Sequence, residues 1–119
     1  MKKTLVLGAS NNPTRYSNMA IEKLVKYGHT VVAIGLRSGT VAGIEILTDK
    51  LAFDDINTVT MYISPRRQPE YYDYLVSLKP ERILFNPGTE NPEFYKILEK
   101  NGIEVNSACT LVLLSSQQY

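Results

Sequence analysis

Residues 4–34 read TLVLGASNNPTRYSNMAIEKLVKYGHTVVAI, and this stretch decides the fold. Thr4-Leu5-Val6-Leu7 is a short, continuously apolar run ending at Gly8, the pattern of a strand buried on both faces and therefore central in its sheet. After a polar loop, Ala20, Ile21, Leu24 and Val25 recur at three- and four-residue spacing, which predicts a helix covering that strand, with Gly28 as its left-handed stop. Thr30 to Ile34 repeats the buried-strand pattern. A strand, a helix and a strand within about 30 residues make a βαβ unit, whose crossover forces the two strands to be parallel.

Working outward, Ile44 to Leu47 reads as a short third strand and Phe53-Asp54-Asp55-Ile56 as one helical turn. Thr58 to Ile63 alternates and is β-rich; the loop Ser64-Pro65-Arg66-Arg67-Gln68-Pro69 follows, with Pro69 placed to open a helix that carries Tyr72, Leu75 and Val76 inward. Ile83-Leu84-Phe85 is the next strand, broken by Asn86-Pro87-Gly88-Thr89. Asn91-Pro92 starts a helix through Phe94, Tyr95 and Leu98, which Asn101-Gly102 ends before the strand Ile103-Glu104-Val105. Thr110 to Leu114 fits either a last strand or a short helix on the sheet. The expectation is one domain over residues 1–119: an α/β, Rossmann-like doubly wound fold with a mostly parallel sheet of five or six strands and helices on both faces.

Composition narrows the partners. With 13 Lys and Arg against 12 Asp and Glu, no long-range positive field draws the chain to nucleic acid or an anionic membrane, so any phosphate site has to be local. Cys109 is the only cysteine, which removes intrachain disulfides; Met1-Lys2-Lys3 runs into a strand without signal-peptide anatomy, and no apolar run approaches the roughly 20 residues that span a bilayer. The expected address is the cytoplasm.

In an open parallel sheet the loops after the strands converge on one edge, and ligands bind where the strand order reverses. Gly8-Ala9-Ser10-Asn11-Asn12-Pro13 is the leading candidate, because small residues between a strand and its helix let backbone amides approach a phosphate that the helix dipole also favours. A simple turn is the competing reading. The segment departs from the dinucleotide fingerprint: Ser10 stands at its second glycine and Pro13 at its third. At the end of the second strand, where NAD-binding chains place an acid for the ribose hydroxyls, this chain has Gly35-Leu36-Arg37. Arg37 suits a phosphorylated ribose, as in coenzyme A or NADP, or is an exposed loop cation. Arg66, Arg67 and Tyr62 have the same two kinds of reading, ligand contact or ordinary surface and core.

Taken together, Gly8 to Pro13 with Arg15-Tyr16-Ser17, the Arg37 loop, Asn86 to Glu93 and Cys109-Thr110 resemble the small stand-alone CoA-binding domain family across essentially the whole chain. That family is similar to the N-terminal nucleotide-binding domain of the succinyl-CoA synthetase α subunit. The resemblance implies that Gly8, Ala9, Ser10, Asn11, Asn12, Pro13 and Ser17 hold the pyrophosphate region, and that Gly35 and Arg37 lie at the ribose. By the same resemblance Ile63, Ser64 and Pro65 border the adenine and pantetheine, and Asn86, Pro87 and Gly88 lie along the thiol arm. Two departures touch the ribose contacts and the loop after the fifth strand: Gly35-Leu36 stands where many relatives have Asn-Pro, and the residue before Gly88 often differs. The synthetase's phosphorylated histidine belongs to a second domain that this chain does not contain, so its activity does not transfer.

Catalytic groups are sparse. His29, the one histidine, falls in the turn before the second strand, at the edge opposite the ligand loops, so neither a Ser-His-Asp arrangement nor a transition-metal site is expected. Cys109, near the ligand edge, is either a small buried hydrophobe or a thiol able to form a mixed disulfide with CoA. The expected function is capture of CoA or an acyl-CoA by a stand-alone binding or regulatory module. The alternatives are an NADP-dependent oxidoreductase subunit and a protein-interaction domain with a vestigial nucleotide site, the latter suggested by Tyr71-Tyr72-Asp73-Tyr74. If the chain associates, a symmetric homodimer is the expected form.

Overall fold

A computed structural model describes residues 2–119. The opening run forms β1 (Thr4–Ala9), whose alternation splits the core: Leu5 and Leu7 face one side of the sheet and Val6 the other, all fully buried. Helix α1 (Tyr16–Lys26) lays Ala20, Ile21 and Leu24 on the Val6 side and stops at Gly28, leading to β2 (Val31–Gly35) parallel to β1. The predicted βαβ unit is therefore the frame of the molecule.

From β2 the chain turns back into a hairpin absent from the sequence expectation, β3 (Gly39–Val41) with β4 (Ile44–Leu47). Its two turn residues, Ala42 and Gly43, both have positive φ (51° and 80°), the mirror-image turn that matches strand twist. Beyond it lie β5 (Thr58–Met61), β6 (Arg82–Phe85) and β7 (Glu104–Ser107), each parallel to its neighbour. The order β3-β4-β2-β1-β5-β6-β7 is the doubly wound pattern with an antiparallel strand added at one edge. The sheet thus has seven strands rather than five or six, because the hairpin contributes two where the sequence pattern marked one.

Helix α2 (Tyr72–Leu78) and helix α3 (Pro92–Lys100) cover the Leu5/Leu7 face through Leu75, Phe94 and Leu98, while α4 (Thr110–Ser115) joins α1 on the other through Leu114. The ambiguous apolar run at Thr110 is thus a helix. Two local expectations are corrected. Residues 53–56 form a bend instead of a helical turn: Asp55 has φ 58°, and Lys3 Nζ and the Tyr74 hydroxyl fasten the carbonyls of Asp54 and Leu51 at 2.7 and 2.5 Å. Pro65, not Pro69, opens the helical segment after β5, as a 3-10 helix Pro65–Tyr71 with Pro69 inside it.

The amino edge of the sheet is closed by Tyr119. Its hydroxyl meets Thr4 Oγ1 at 2.5 Å, its ring lies edge-on to His29 at 5.0 Å, and the Arg82 guanidinium sits 4.7 Å from its centroid. The Lys2 amide donates to His29 Nδ1 at 3.1 Å, which requires a neutral acceptor nitrogen. Burial, then the nearby cations Lys2 and Arg82, lower the His29 pKa from 6.5. The unfolded chain accordingly takes up a proton that the folded chain resists, so this contribution to stability is present above pH 6.5 and is lost as pH falls below it. Denaturant midpoints measured from pH 7.5 to 5 are expected to fall less steeply in His29→Asn, whose carboxamide oxygen still accepts from Lys2; equal slopes would count against this coupling.

Candidate functional site

Every parallel strand ends at the same edge, and the order reverses between β1 and β5. Gly8 makes that junction tight. It has φ 94°, and a Cβ there would stand 2.9 Å from the Tyr62 carbonyl carbon and 3.0 Å from Ile63 Cγ1. The bulge it introduces shifts the β1–β2 register between Leu7 and Ala9, bringing Ala9 opposite Gly35, where a side chain would run into the Ala9 carbonyl oxygen. Both positions need glycine because backbone meets backbone there.

Beyond Ala9 the loop is ordered by its own polar groups. Ser10 Oγ accepts from the Asn12 amide (3.1 Å), Asn12 Oδ1 from the Thr14 amide (3.0 Å), and the buried Asn18 donates Nδ2 to the Ser10 carbonyl (3.0 Å). Helix α1 then begins with Arg15 as its N-cap and no side chain capping it. No acidic residue occupies its first turn. The leading amides of α1 and the positive end of its dipole are thus left without a side-chain partner. Ser17 sits in that first turn, buried to 4% exposure, while Asn11, Asn12 and Pro13 are exposed.

The second loop touches the first: Gly39 lies against the Asn11 side chain, where a Cβ would be 3.0 Å from Nδ2. Arg37 is exposed on this loop and makes no ion pair among the described residues, whereas Arg67 is bridged to Glu70 at 3.9 Å. An open depression of about 410 Å³ lies against the β3–β4 hairpin that follows this loop, lined in part by Ser38, Thr40, Glu45, Leu47, Asp49 and Leu51.

On the other side of the junction two buried carboxamides tie loop to loop. Asn86, at the end of β6, donates Nδ2 to Thr60 Oγ1 (2.7 Å) and to the Met61 carbonyl (2.9 Å), and its Oδ1 accepts from the Thr110 amide (2.9 Å). Its side chain is occupied in joining β5, β6 and α4. What faces outward from this loop is backbone and ring, at the exposed Pro87 and Gly88. Gln68, with no exposed surface, donates to the Ile63 and Thr89 carbonyls at 2.9 and 2.8 Å. The pattern of loop residues gave no sign of Gln68, because RRQPE reads as polar surface and its burial follows only from the 3-10 turn.

Ser64 and Pro65 begin that turn, and Ile63 is buried in the core beneath it. Tyr62 is half-buried among the α1 and α4 packing, its phenol pushed up to about 12 mainly by burial, and so stays protonated. Cys109 is the N-cap residue of α4 and partly buried. Tyr71, Tyr72 and Tyr74 are employed internally: Tyr71 is buried, Tyr72 stacks on Phe94 at 4.2 Å, and Tyr74 holds Leu51. The loops after β1, β2, β5, β6 and β7 lie at one edge, with Gly8 and Ala9 at the end of β1, Gly35 at the end of β2 and Ser17 in α1; Ile63 and the Asn86 side chain turn inward, and His29 lies at the opposite edge.

The model of the CoA-binding domain family matches residues 2–115. Among solved structures, an uncharacterized protein is 45% identical, with 100% of this chain and 98% of that chain covered and a TM-score of 0.97. A Thermus thermophilus protein shares 21% identity over 99% of this chain and 90% of its own, with a TM-score of 0.87. The dinucleotide-forming acetyl-coenzyme A synthetase 1 of Ca. Korarchaeum cryptofilum shares 15% identity over 87% of this chain and 25% of its own, with a TM-score of 0.73. The last two likenesses are of fold. No curated protein matches the chain.

Gly8→Ala is expected to cost about 2–4 kcal/mol, the sum of a left-handed conformation and a backbone collision. The measurement is the urea midpoint at constant m-value, and a loss under about 0.5 kcal/mol would show that the β1–β5 junction relaxes freely.

Proposed function

The chain belongs to the CoA-binding domain family, and from that premise we propose that it captures coenzyme A or an acyl-CoA at the carboxyl edge of its sheet. The observation that carries the reading is the uncapped start of α1, opening where the strand order reverses behind a loop already ordered by Ser10, Asn12 and Asn18. A diphosphate there receives amide hydrogen bonds and the helix dipole without displacing a side-chain cap. Pre-ordering also lowers the entropy that binding would otherwise cost.

Arg37 is the residue we assign to the phosphate on the ribose. It is free of carboxylate partners among the described residues, and its loop rests on Asn11 of the phosphate loop. Gly35 admits the close approach that brings the two loops together, and Ser17, in the first turn of α1, stands with the phosphate loop at the pyrophosphate. Ile63, Ser64 and Pro65, then Pro87 and Gly88, border the remainder of the ligand, with Asn86 shaping their loop and Cys109 at the far end of the rim. In this reading the chain is a stand-alone binding or regulatory module, and its single histidine stands at the other edge, bonded to Lys2.

Thermal unfolding with CoA, dephospho-CoA, NADP, NAD and ATP tests the reading, because a ligand selective for the folded state stabilises it by about 2.7 kcal/mol at a hundred times its Kd. CoA should give the largest shift and dephospho-CoA a smaller one. Arg37→Ala is expected to narrow an about tenfold preference for CoA over dephospho-CoA, one charge-assisted contact being of that size. An unchanged ratio removes Arg37 from the site. No shift with CoA overturns the assignment, and a larger shift with NADP favours an oxidoreductase subunit.

A further inference from the structure

Gln68 lies in a chain of polar side chains whose orientation is set from both ends. Its two Nε2 hydrogens go to backbone carbonyls, those of Ile63 and Thr89, so Oε1 must face Asn91 Nδ2, from which it accepts at 2.9 Å. Asn91 Oδ1 accepts from the Phe94 amide at the start of α3, which fixes the amide the same way round. Asn91 also donates to the Tyr72 hydroxyl (2.9 Å), which donates to Glu93 Oε2 (2.9 Å). Neither Gln68 nor Asn91 can rotate without leaving a buried group unpaired, a cost of about 1–3 kcal/mol. The loops after β5 and β6 are therefore tied to each other and to the start of α3.

The direction of the ligand follows from the same geometry. With a diphosphate at the start of α1 and a phosphorylated ribose at Arg37, on the β2 side, the other substituent of the diphosphate leaves on the opposite side. That side is the rim of the loops after β5 and β6. We infer that Gln68 is a positioning residue, holding the Ile63–Pro65 and Pro87–Thr89 segments in the geometry that receives the pantetheine arm, an inference that rests on reading this edge as a CoA site.

A residue of this kind acts on one half of the ligand, whereas a general loss of structure weakens both halves. Calorimetric titration with CoA and with adenosine 3′,5′-bisphosphate separates the two. Gln68→Met, which keeps length and removes the bonds, is expected to weaken CoA about tenfold and the bisphosphate, whose adenine meets only the Ile63–Pro65 segment, by about threefold or less. Tyr72→Phe removes the outer bonds of the chain, from Asn91 and to Glu93, while leaving those of Gln68, and should weaken CoA about threefold with the same asymmetry, so it decides the matter if Gln68→Met does not fold. Equal weakening of both ligands, or no weakening of either, overturns the role of Gln68 while leaving the CoA reading in place. Failure of the unaltered protein to bind CoA overturns that reading, and this inference with it.

Discussion

The approach of the β1 backbone to the β5 backbone at Gly8 is the constraint from which the edge is built. With φ 94° and no room for a Cβ against Tyr62, the chain leaves the sheet one residue out of step, and Ala9 comes to face Gly35. That single offset sets where the loop after β1 starts, how near the β2 loop can come, and the direction in which α1 departs. A larger residue at Gly8 would part β1 from β5, where the sheet divides its order, and one at Gly35 would part β1 from β2.

The rim is stiffened differently on its two sides. Toward β2, Ser10, Asn12 and Asn18 order the loop by short-range bonds to neighbouring backbone, which leaves its outer surface exposed. Toward β6, Asn86 and Gln68 do the work by long-range bonds between elements, from within the core. Burying a carboxamide is tolerable only when its donors are satisfied, and both donor hydrogens of each are. One side is therefore shaped by sequence-local turns and the other by tertiary structure.

This difference decides what was legible in the residues themselves. The βαβ frame, the parallel strands and the rim loops announce themselves through apolar runs that end in Gly, Pro and Asn, because local periodicity and turn chemistry are properties of neighbours. The hairpin β3–β4 was hidden because its turn, Ala42-Gly43, has only one of the residues that normally mark positive φ. The bend at residues 53–56 was hidden because helical spacing there loses to Lys3 and Tyr74, which are distant in sequence and bind its carbonyls. Gln68 and the internal duties of Tyr71, Tyr72 and Tyr74 belong to the same class: their partners come from other elements, and no spacing along the chain encodes them.

A net charge of +1 conceals a division of labour between the two cations. Arg15, Arg37, Arg66 and Arg67 all stand on the carboxyl-edge loops, and Arg82 alone opens a strand at the other edge. Most lysines stand elsewhere, Lys23 and Lys26 of α1, Lys79 after α2 and Lys100 of α3 near helix ends and Lys2 and Lys3 before β1, while Lys96 lies within α3 and Lys50 alone follows a strand on the carboxyl side. Lys23, Lys26 and Lys100, in the last turns of their helices, meet the negative ends of the helix dipoles. The carboxyl-edge acids are largely engaged: Glu70 pairs with Arg67, Glu90 accepts from the Gly88 amide, and Glu93 accepts from Tyr72. Arg15, Arg37 and Arg66 are left without ion-pair partners among the described residues, and a guanidinium fork matches phosphate oxygens better than an ammonium does.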